Sequence, residues 1–396
     1  MKELFLYYLW ENRLLSKDLK TVDGNEVEIF NPGFRNLDSG PDFLEAKIKM
    51  DGKLWAGHVE IHVKTSDWNR HGHQFDKAYQ NVVLHVVYEH DTMVNDIPVL
   101  ELKGRFDGRL FEDYQRFVSA KSWIPCERSI GQIQAFTLVG WLDRMAIERV
   151  EQKSEKVTKI LKASQFDWED TLYRLLMRYF GMKVNNDAFE YLANILPFKT
   201  LLKHADQLPQ LEAMLLGCAG FLEDDSKETY PPILKREFKV MRAKFGLLTM
   251  PVERWKFLRM RPVNFPNVRL VQMAQLIHQN GCMFSKIKEA SSMEEIKALF
   301  NVKGIGESMS NVLAINAVIP LLFCYGKLHK ELSYCEKAMD FLEKIPAEDN
   351  SVVRHFAQCG IQVENAMQTQ GLLHSYAVYC KRKRCLECQI GIRILQ

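Results

Sequence analysis

The chain of 396 residues is 47% hydrophobic and 26% charged, and its formal net charge is +3. This composition is typical of a globular protein and excludes a disordered, collagen-like or strongly basic chain. The length predicts two or three domains. The apolar N-terminal run MKELFLYYLWENRLL is interrupted by Glu3, Glu11 and Asn12, so it predicts an amphipathic helix and no signal peptide. We therefore expect a cytoplasmic protein with no membrane partner, and nine mostly isolated cysteines suit a reducing compartment.

Short β-type runs occupy the stretch between Val27 and Lys103: EVEIF, FLEAKIKM, LWAGHVEIHVK, NVVLHVVYE and PVLELK. Turn sequences separate these runs, and MDGK at residues 50–53 predicts a hairpin. NVVLHVVY is apolar almost throughout, as expected of a central strand that is covered on both faces. The initial helix and these strands predict a mixed sheet in an α/β domain over residues 1–118.

Strand patterns end near Ile130, and helical patterns occupy the rest of the chain. The stretch DWEDTLYRLLMRYFG predicts a helix with Asp167 as its N-cap and Gly181 at its end. We predict an all-helical domain over residues 119–350 and a helical tail with a cysteine cluster over residues 351–396. The predicted fold class is therefore α+β.

Polar side chains alternate along the run GHVEIHVK. Six of the eleven histidines lie between His58 and His90. Because side chains of a strand alternate between its faces, His58, Glu60, His62 and Lys64 share one face, and the apolar residues between them share the other. A solvated sheet surface explains this pattern without any chemistry, whereas an acid, a cation and two imidazoles in a row are also what a catalytic face requires.

Two short elements of this region resemble the PD-(D/E)XK nuclease superfamily. Pro41 and Asp42 open the run FLEAKIKM, and HVK at residues 62–64 matches the second element, with His62 where the family has an acid. The resemblance covers about residues 1–105 and implies a nuclease-like fold. It also implies Mg²⁺ or Mn²⁺ held by Asp42 and Glu60, with His62 as ligand or base and Lys64 orienting the attacking water.

A second interpretation of the same region is a zinc hydrolase built on the histidines. His71 and His73 are separated by one glycine and would present both imidazoles on one side of an extended chain. His85 lies inside an apolar strand, so we predict a hydrogen-bonded core histidine there. A polar loop at a sheet edge collects such residues without binding anything, and this alternative stays open.

The stretch NVKGIGESMSNVLAIN at residues 301–316 resembles the helix–hairpin–helix element of DNA-binding proteins. The resemblance implies that Lys303, Gly304 and Gly306 hold a DNA phosphate at the turn, where the start of the second helix provides amides. Arg261, in an arginine-rich stretch upstream, is a further candidate for phosphate contact. An ordinary turn between helices is the alternative.

Three thiols lie close together near the end of the sequence, in Cys380-X4-Cys385-X2-Cys388. This spacing predicts a metal site, with Zn²⁺ as the expected ion and His374 or Cys359 as the fourth ligand. The run also resembles the iron–sulfur loop of some DNA glycosylases, although no fourth cysteine follows Cys388. Three reduced thiols at the end of a helix are the alternative.

The runs GPDF, GHVEIHVKTSDW, HGH and YQNVVLHVVYEHD, together with the cysteine-bearing tail, resemble a bacterial family known as a domain of unknown function. The favoured functional prediction is a metal-dependent nucleic-acid phosphodiesterase that acts on DNA. The alternatives are a catalytically inactive nuclease fold that binds nucleic acid or serves as a scaffold, and the zinc hydrolase of the histidine cluster.

Overall fold

The structure is a computed structural model that describes residues 1–93, 97–223 and 231–396. It is an α+β protein with an N-terminal mixed sheet and a helical region, which confirms the predicted fold class. The chain forms two compact units, Met1–Leu138 with Tyr376–Gln396, and Val139–Ser375. The three predicted domains have other limits, because the end of the chain packs with the N-terminal unit.

The described part of the N-terminal unit contains a sheet of six strands. They are β1 (Val27–Asn31), β2 (Phe34–Arg35), β3 (Phe43–Met50), β4 (Lys53–Lys64), β5 (Val82–Glu89) and β6 (Val99–Glu101). The strand order is β1-β3-β4-β5-β6, and β2 pairs with β3. β1, β3 and β4 pair antiparallel, whereas β4–β5 and β5–β6 pair parallel. The connection from β4 to β5 is therefore a crossover, and the candidate site lies in it.

The predicted hairpin joins β3 and β4. Met50 pairs with Lys53, and Asp51 and Gly52 have φ angles of 45° and 79°. Two consecutive left-handed residues form the tight turn that matches the twist of antiparallel strands. A register shift between Phe43 and Ala46 interrupts β3 next to Asp42, where Glu45 also has a positive φ angle of 57°. This irregularity separates the start of β3 from its regular ladder.

Eighteen helices lie in the described parts of the chain. They are α1 (Glu3–Glu11), α2 (Asp67–His71), α3 (Gly108–Ser119), α4 (Ala135–Ala163), α5 (Trp168–Phe180), α6 (Asn186–Ile195), α7 (Phe198–Leu202), α8 (Leu208–Cys218), α9 (Pro232–Phe245), α10 (Pro266–Asn280), α11 (Phe284–Glu289), α12 (Met293–Leu299), α13 (Glu307–Leu313), α14 (Ile319–His329), α15 (Leu332–Glu343), α16 (Ser351–Gln358), α17 (Ala366–His374) and α18 (Gln389–Leu395). Short 3₁₀ turns follow α2 at His73–Phe75 and Lys77–Tyr79.

The core of the N-terminal unit lies between α1 and the sheet. Phe5 and Leu9 of α1 pack with Val59 and Ile61 of β4, and all four side chains are buried. The apolar residues of the alternating strand β4 thus form the core, as predicted. α18 completes this core through Leu395. Burial of the apolar side of β4 directs Glu60 and His62 to the opposite side, which is the side of the crossover.

The Val139–Ser375 unit is helical throughout its described residues, with one apolar core. α5 begins after Asp167, whose carboxylate accepts the N–H groups of Glu169 and Asp170, and it ends before Gly181. Both helix limits were predicted. The continuous helical segment Glu307–His329 is long and apolar enough to cross a membrane by length and composition. However, 78% of its most apolar window is buried inside the structure, as in a core helix.

Candidate metal centre

The candidate site is built from β4 and from the crossover that follows it. Glu60 and His62 are buried two residues apart on β4, with exposed fractions of 4% and 2%. After β4 the chain forms α2, which ends at His71, and Gly72 has a left-handed φ of 78°. This φ angle favours glycine and lets the chain reverse between His71 and His73. Both imidazoles therefore return toward β4.

The four side chains converge on one point. His62 Nε2 lies 3.1 Å from His71 Nδ1 and 3.4 Å from Glu60 Oε1, and His73 Nε2 lies 3.2 Å from the same Glu60 oxygen. One ligand atom from each of the three histidines lies within 4.8 Å of the other two. A tetrahedral ion with metal–nitrogen distances of about 2.05 Å has ligand edges of about 3.3 Å. The spacing therefore fits a single transition-metal ion.

Outer contacts orient these rings. His62 Nδ1 lies 2.9 Å from His85 Nε2, and the His73 ring stacks on Tyr79 with centroids 3.9 Å apart. When His62 Nδ1–H donates to His85, the Nε2 lone pair of His62 faces the other ligands, which is the tautomer that binds a metal. His73 Nε2 is buried without a hydrogen-bond partner, although Glu60 Oε1 is close. A shared metal would satisfy both atoms.

Asp42 holds Glu60 in place from the start of β3. The Asp42 N–H donates to Glu60 Oε2 over 3.1 Å. The N–H of Ile61 donates to Asp42 Oδ2 over 2.9 Å, and the hydroxyl of Tyr7 donates to Asp42 Oδ1 over 2.8 Å. One oxygen of Glu60 is thereby fixed by the backbone, whereas the other faces the imidazoles.

Burial controls the charges of the site. It raises the pKa of Glu60 to about 9, with the Asp42 carboxylate as the second cause, and it raises the pKa of Asp42. Burial and the neighbouring His85 lower the pKa of His62 to about 2, and burial and His73 lower the pKa of His85 to about 3. The imidazoles of His62 and His85 are thus neutral, which is the form in which an imidazole binds a metal, and a bound cation would favour ionisation of the two adjacent buried carboxyls.

One side of the centre is open. His71 is exposed, and a cleft of about 840 Å³ is lined by the loop 38–40 and by His71 and His73. Its wall also includes Gly72, Phe75, Asp76, Lys77 and Tyr79, so two carboxylates, Asp38 and Asp76, line it beside the cation Lys77. A metal centre that keeps one side accessible suits catalysis, whereas structural metal sites are closed.

The structure brings together Asp42, Glu60 and His62 but places Lys64 elsewhere. Lys64 is exposed at the end of β4, and its charge acts on Glu89 and Asp91. A strand rises about 3.3 Å per residue, so the Lys64 backbone lies about 13 Å beyond that of Glu60. The shared strand face was predicted correctly, but the face is too long for all its residues to meet at one point.

The sequence did not point to the contribution of α1. Tyr7 reaches Asp42, and Glu3 has a raised pKa because of burial and the Asp42 and Asp67 carboxylates. Neither residue carries a local signal, because its role depends on α1 packing against β4. The pair His71 and His73 was found from its spacing, and its convergence with His62 and Glu60 is the new observation.

The candidate nucleic-acid residues lie in the Val139–Ser375 unit. Arg261, Gly304 and Gly306 line one groove of about 520 Å³, and Arg269 lines it as well. Lys303 precedes Gly304 but is not a lining residue. Arg269 is 4% exposed; its guanidinium donates to Gln272 and Asn264, while its Nε is buried without a hydrogen-bond partner.

The C-terminal thiols and the predicted fourth ligand His374 belong to different units. Cys380, Cys385 and Cys388 belong to the N-terminal unit. His374 belongs to the Val139–Ser375 unit, where its Nε2 lies 3.4 Å from Glu148 Oε2. The structure gives this imidazole a carboxylate partner, and its role as the fourth metal ligand stays a prediction.

A family model described as "Protein of unknown function (DUF2851)" matches residues 3–304 and 301–351. The chain belongs to this family. The match confirms the predicted membership in a family of unknown function and includes all residues of the candidate metal centre, whereas the three C-terminal thiols lie beyond it. Comparisons with curated proteins and with solved structures found no match for this DUF2851 chain.

Proposed function

We propose that this protein is a metal-dependent hydrolase whose metal is held by His62, His71 and His73. The convergence of these imidazoles with Glu60 Oε1, at spacings of 3.1 to 3.4 Å, carries the proposal. Three imidazoles suit zinc or a neighbouring first-row metal better than magnesium, which prefers oxygen ligands. Such a metal supplies Lewis acidity and makes water a nucleophile near neutral pH.

Glu60 is the proton acceptor in this proposal, because the positive charge of a metal on the imidazoles would favour the ionised form of its carboxyl and so lower its pKa from about 9. Its Oε2 is held by the Asp42 N–H, so its Oε1 stays on the side of the imidazoles. A carboxylate within hydrogen-bond distance of the water position is the geometry that general-base catalysis requires. Asp42 and Tyr7 are positioning residues, because they fix Glu60 and the start of β3 without facing the imidazoles.

The cleft beside His71 and His73 receives the substrate. Its wall includes Lys77, a cation that would pair with an anionic substrate, and Phe75 and Tyr79, which offer aromatic faces. A phosphodiester between nucleosides combines an anion with flat rings, so nucleic acid is the substrate class that we propose. Rings of single-stranded nucleic acid are accessible for such stacking.

Elemental analysis and hydrolysis by the purified chain test the proposal. We expect about one transition-metal ion to depend on the histidines and the chain to hydrolyse bis(p-nitrophenyl) phosphate and single-stranded DNA or RNA. His73→Gln should lose this metal and the turnover. His58→Gln is the matched control, since His58 lies on the same strand but accepts only the Glu45 N–H. Retention of metal by His73→Gln would sink the proposal.

A second candidate is the predicted magnesium-dependent nuclease with Asp42, Glu60, His62 and Lys64. The adjacency of Asp42 and Glu60 favours it, because paired carboxylates are typical Mg²⁺ ligands. It requires cleavage with Mg²⁺ or Mn²⁺ that is lost in Lys64→Ala. The hydrolase of the histidine centre instead predicts that Lys64→Ala keeps its activity, since this amine lies with Glu89 and Asp91.

A non-enzymatic role in nucleic-acid binding is the remaining candidate. The groove with Arg261, Gly304 and Gly306 favours it, because the helical segment beginning at Glu307 has Gly306 as its N-cap and directs amides there. Lys303 adds a charge beside this groove. Binding to DNA that weakens in Arg261→Ala, depends on salt and survives Asp42→Asn without turnover supports this role.

A further inference from the structure

The three C-terminal thiols lie on a tightly folded segment of the N-terminal unit. A helical turn ends at Cys380, the Lys383 N–H donates to the Cys380 carbonyl over 3.0 Å, and Lys383 has a φ of 54°. A 3₁₀ turn then begins at Cys385, and Cys388 is the N-cap of α18. Cys385 and Cys388 are 6% and 8% exposed. The chain thus forms a compact knuckle around buried sulfur.

The knuckle directs backbone amides toward one of its sulfurs. The N–H groups of Ile390 and Gly391 donate to the thiol of Cys388. Gly391 is required for this approach, because a Cβ there would lie 2.3 Å from the carbonyl oxygen of Cys385. Burial is the larger effect and raises the pKa of this thiol to about 11, so a bound metal would have to favour the thiolate form in addition to the amides.

A fourth cysteine, Cys126, lies in the segment that follows α3. The Trp123 ring stacks on Tyr376 with centroids 4.6 Å apart, and Lys383 Nζ donates to the carbonyl of Ala120 over 3.2 Å. These contacts bring residues 120–126 against residues 376–383. Cys126, which is 7% exposed, lies at the end of that stretch.

Electrostatics places Cys126 in the same group. Burial is the largest cause that raises the pKa of the Cys380 thiol, and the thiols of Cys126, Cys388 and Cys385 follow as further causes. Charges act in this way only at short range, so the four sulfurs share one neighbourhood. The structure has no disulfide among its cysteines.

We propose that Cys126, Cys380, Cys385 and Cys388 form a tetrathiolate metal site that fastens the C-terminal segment to the N-terminal unit. Four cysteines are the ligand set of structural zinc and of iron–sulfur clusters. On binding, the thiols release their protons to solvent and the thiolates bond to the metal. The basic run at residues 381–384 offsets the negative charge that such a centre carries.

The four thiols are not preassembled around a single metal position in the structure. Within the described residues, the three histidines form a group whose ligand atoms all lie within 4.8 Å of one another. The thiols do not form such a group. Zinc–sulfur distances of about 2.3 Å give a tetrahedron with edges of about 3.8 Å. The metal content of the chain, and not the spacing of the thiols, therefore distinguishes a zinc site from an iron–sulfur cluster.

Iron, sulfide and zinc contents of the full chain purified without oxygen test the proposal. We expect iron with acid-labile sulfide and a visible absorption band, or one zinc ion, in addition to the metal of the histidine centre. Cys126→Ser should abolish this second pool and leave the first, whereas His73→Gln should do the opposite. Cys282→Ser is the matched control, because Cys282 is an exposed cysteine of the other unit.

Differential alkylation of the unmodified chain gives a readout that does not depend on a variant folding. The four thiols should resist alkylation until a strong chelator or acid removes the metal, and they should then react together. Absence of iron and zinc beyond the histidine pool overturns the site, as does full metal retention by Cys126→Ser. Either result leaves the proposed hydrolase standing, because the metal of the hydrolase depends on His73 and not on the cysteines.

Discussion

Buried polar groups occur in both units, but they are satisfied in different ways. In the helical unit, Lys153 Nζ donates to Asn316 Oδ1 over 2.9 Å and to Gln370 Oε1 over 2.8 Å, and Arg149 Nε donates to the same Gln370 oxygen over 2.6 Å. Gln370 donates in turn to Glu348. Donors meet acceptors and cations lie near a carboxylate, so this network needs no further component.

The histidine centre is different because its groups are alike. His62, His71 and His73 direct lone-pair-bearing nitrogens at one another and at Glu60, and the Nε2 of His73 has no hydrogen-bond partner. Side chains with the same chemistry converge only when a common partner binds them all. Buried donors that are paired with acceptors indicate a structural network, whereas buried groups of the same kind that converge on one point indicate a bound ligand.

The largest expected effect comes from a substitution that disrupts the hydrogen-bond network around Gln370. Gln370→Ala removes the acceptor shared by Arg149 and Lys153 and leaves these two half-buried donors without it. We expect a loss of about 3 kcal/mol in the free energy of unfolding, with no change in the metal bound at the histidines. Denaturant unfolding measures the loss, and Gln152→Ala, at an exposed position of α4, is the control. Metal loss in Gln370→Ala would contradict the distinction between the two clusters.

The next effect is the pH dependence that the same network gives to stability. Burial, followed by the Arg149 charge, lowers the pKa of Lys153 to about 7, whereas an unfolded lysine has a pKa of about 10.4. Between these values the unfolded chain binds more protons, so stability should rise with pH from about 7 to about 10. Three pH units correspond to about 4 kcal/mol, and because the Lys153 side chain is only half-buried we expect about half of this, on the order of 2 kcal/mol. Unfolding midpoints of the unmodified chain and of Lys153→Met, measured across this pH range, test the expectation. The same slope of stability against pH in both chains would refute the lowered pKa of Lys153.

The sequence predicted the parts of the molecule that local patterns determine. The runs of β3, β4 and β5 were assigned from alternation and apolarity, and Asp167 was assigned from capping chemistry. These features depend on neighbours within a few residues. The α+β class followed from their order along the chain.

Convergence in space was not predictable in the same way. Strand alternation placed Lys64 on the face of Glu60 and His62, but it did not determine how far along the strand a site extends. The Tyr7 hydroxyl reaches Asp42 because α1 packs on the sheet. Cys126 is far in sequence from Cys380, so spacing along the chain suggested His374 or Cys359 as the fourth ligand and did not point to Cys126. Long-range packing decides each of these cases.

The smallest expected effect concerns the residue that supports the convergent cluster. His85 is buried, its Nε2 lies 2.9 Å from His62 Nδ1, and it does not face the other ligands. Removing such an outer partner weakens metal binding by about 10- to 100-fold. We therefore expect His85→Ala to need about 10- to 100-fold more free metal for half-saturation, measured by competition with a chelator. Turnover should recover at saturating metal, because His85 orients His62 and does not touch the substrate.

His90→Ala is the control, since His90 pairs with Thr65 instead. Unchanged metal affinity in His85→Ala would mean that the His62 ring is fixed by its other neighbours, and the tautomer argument would fall.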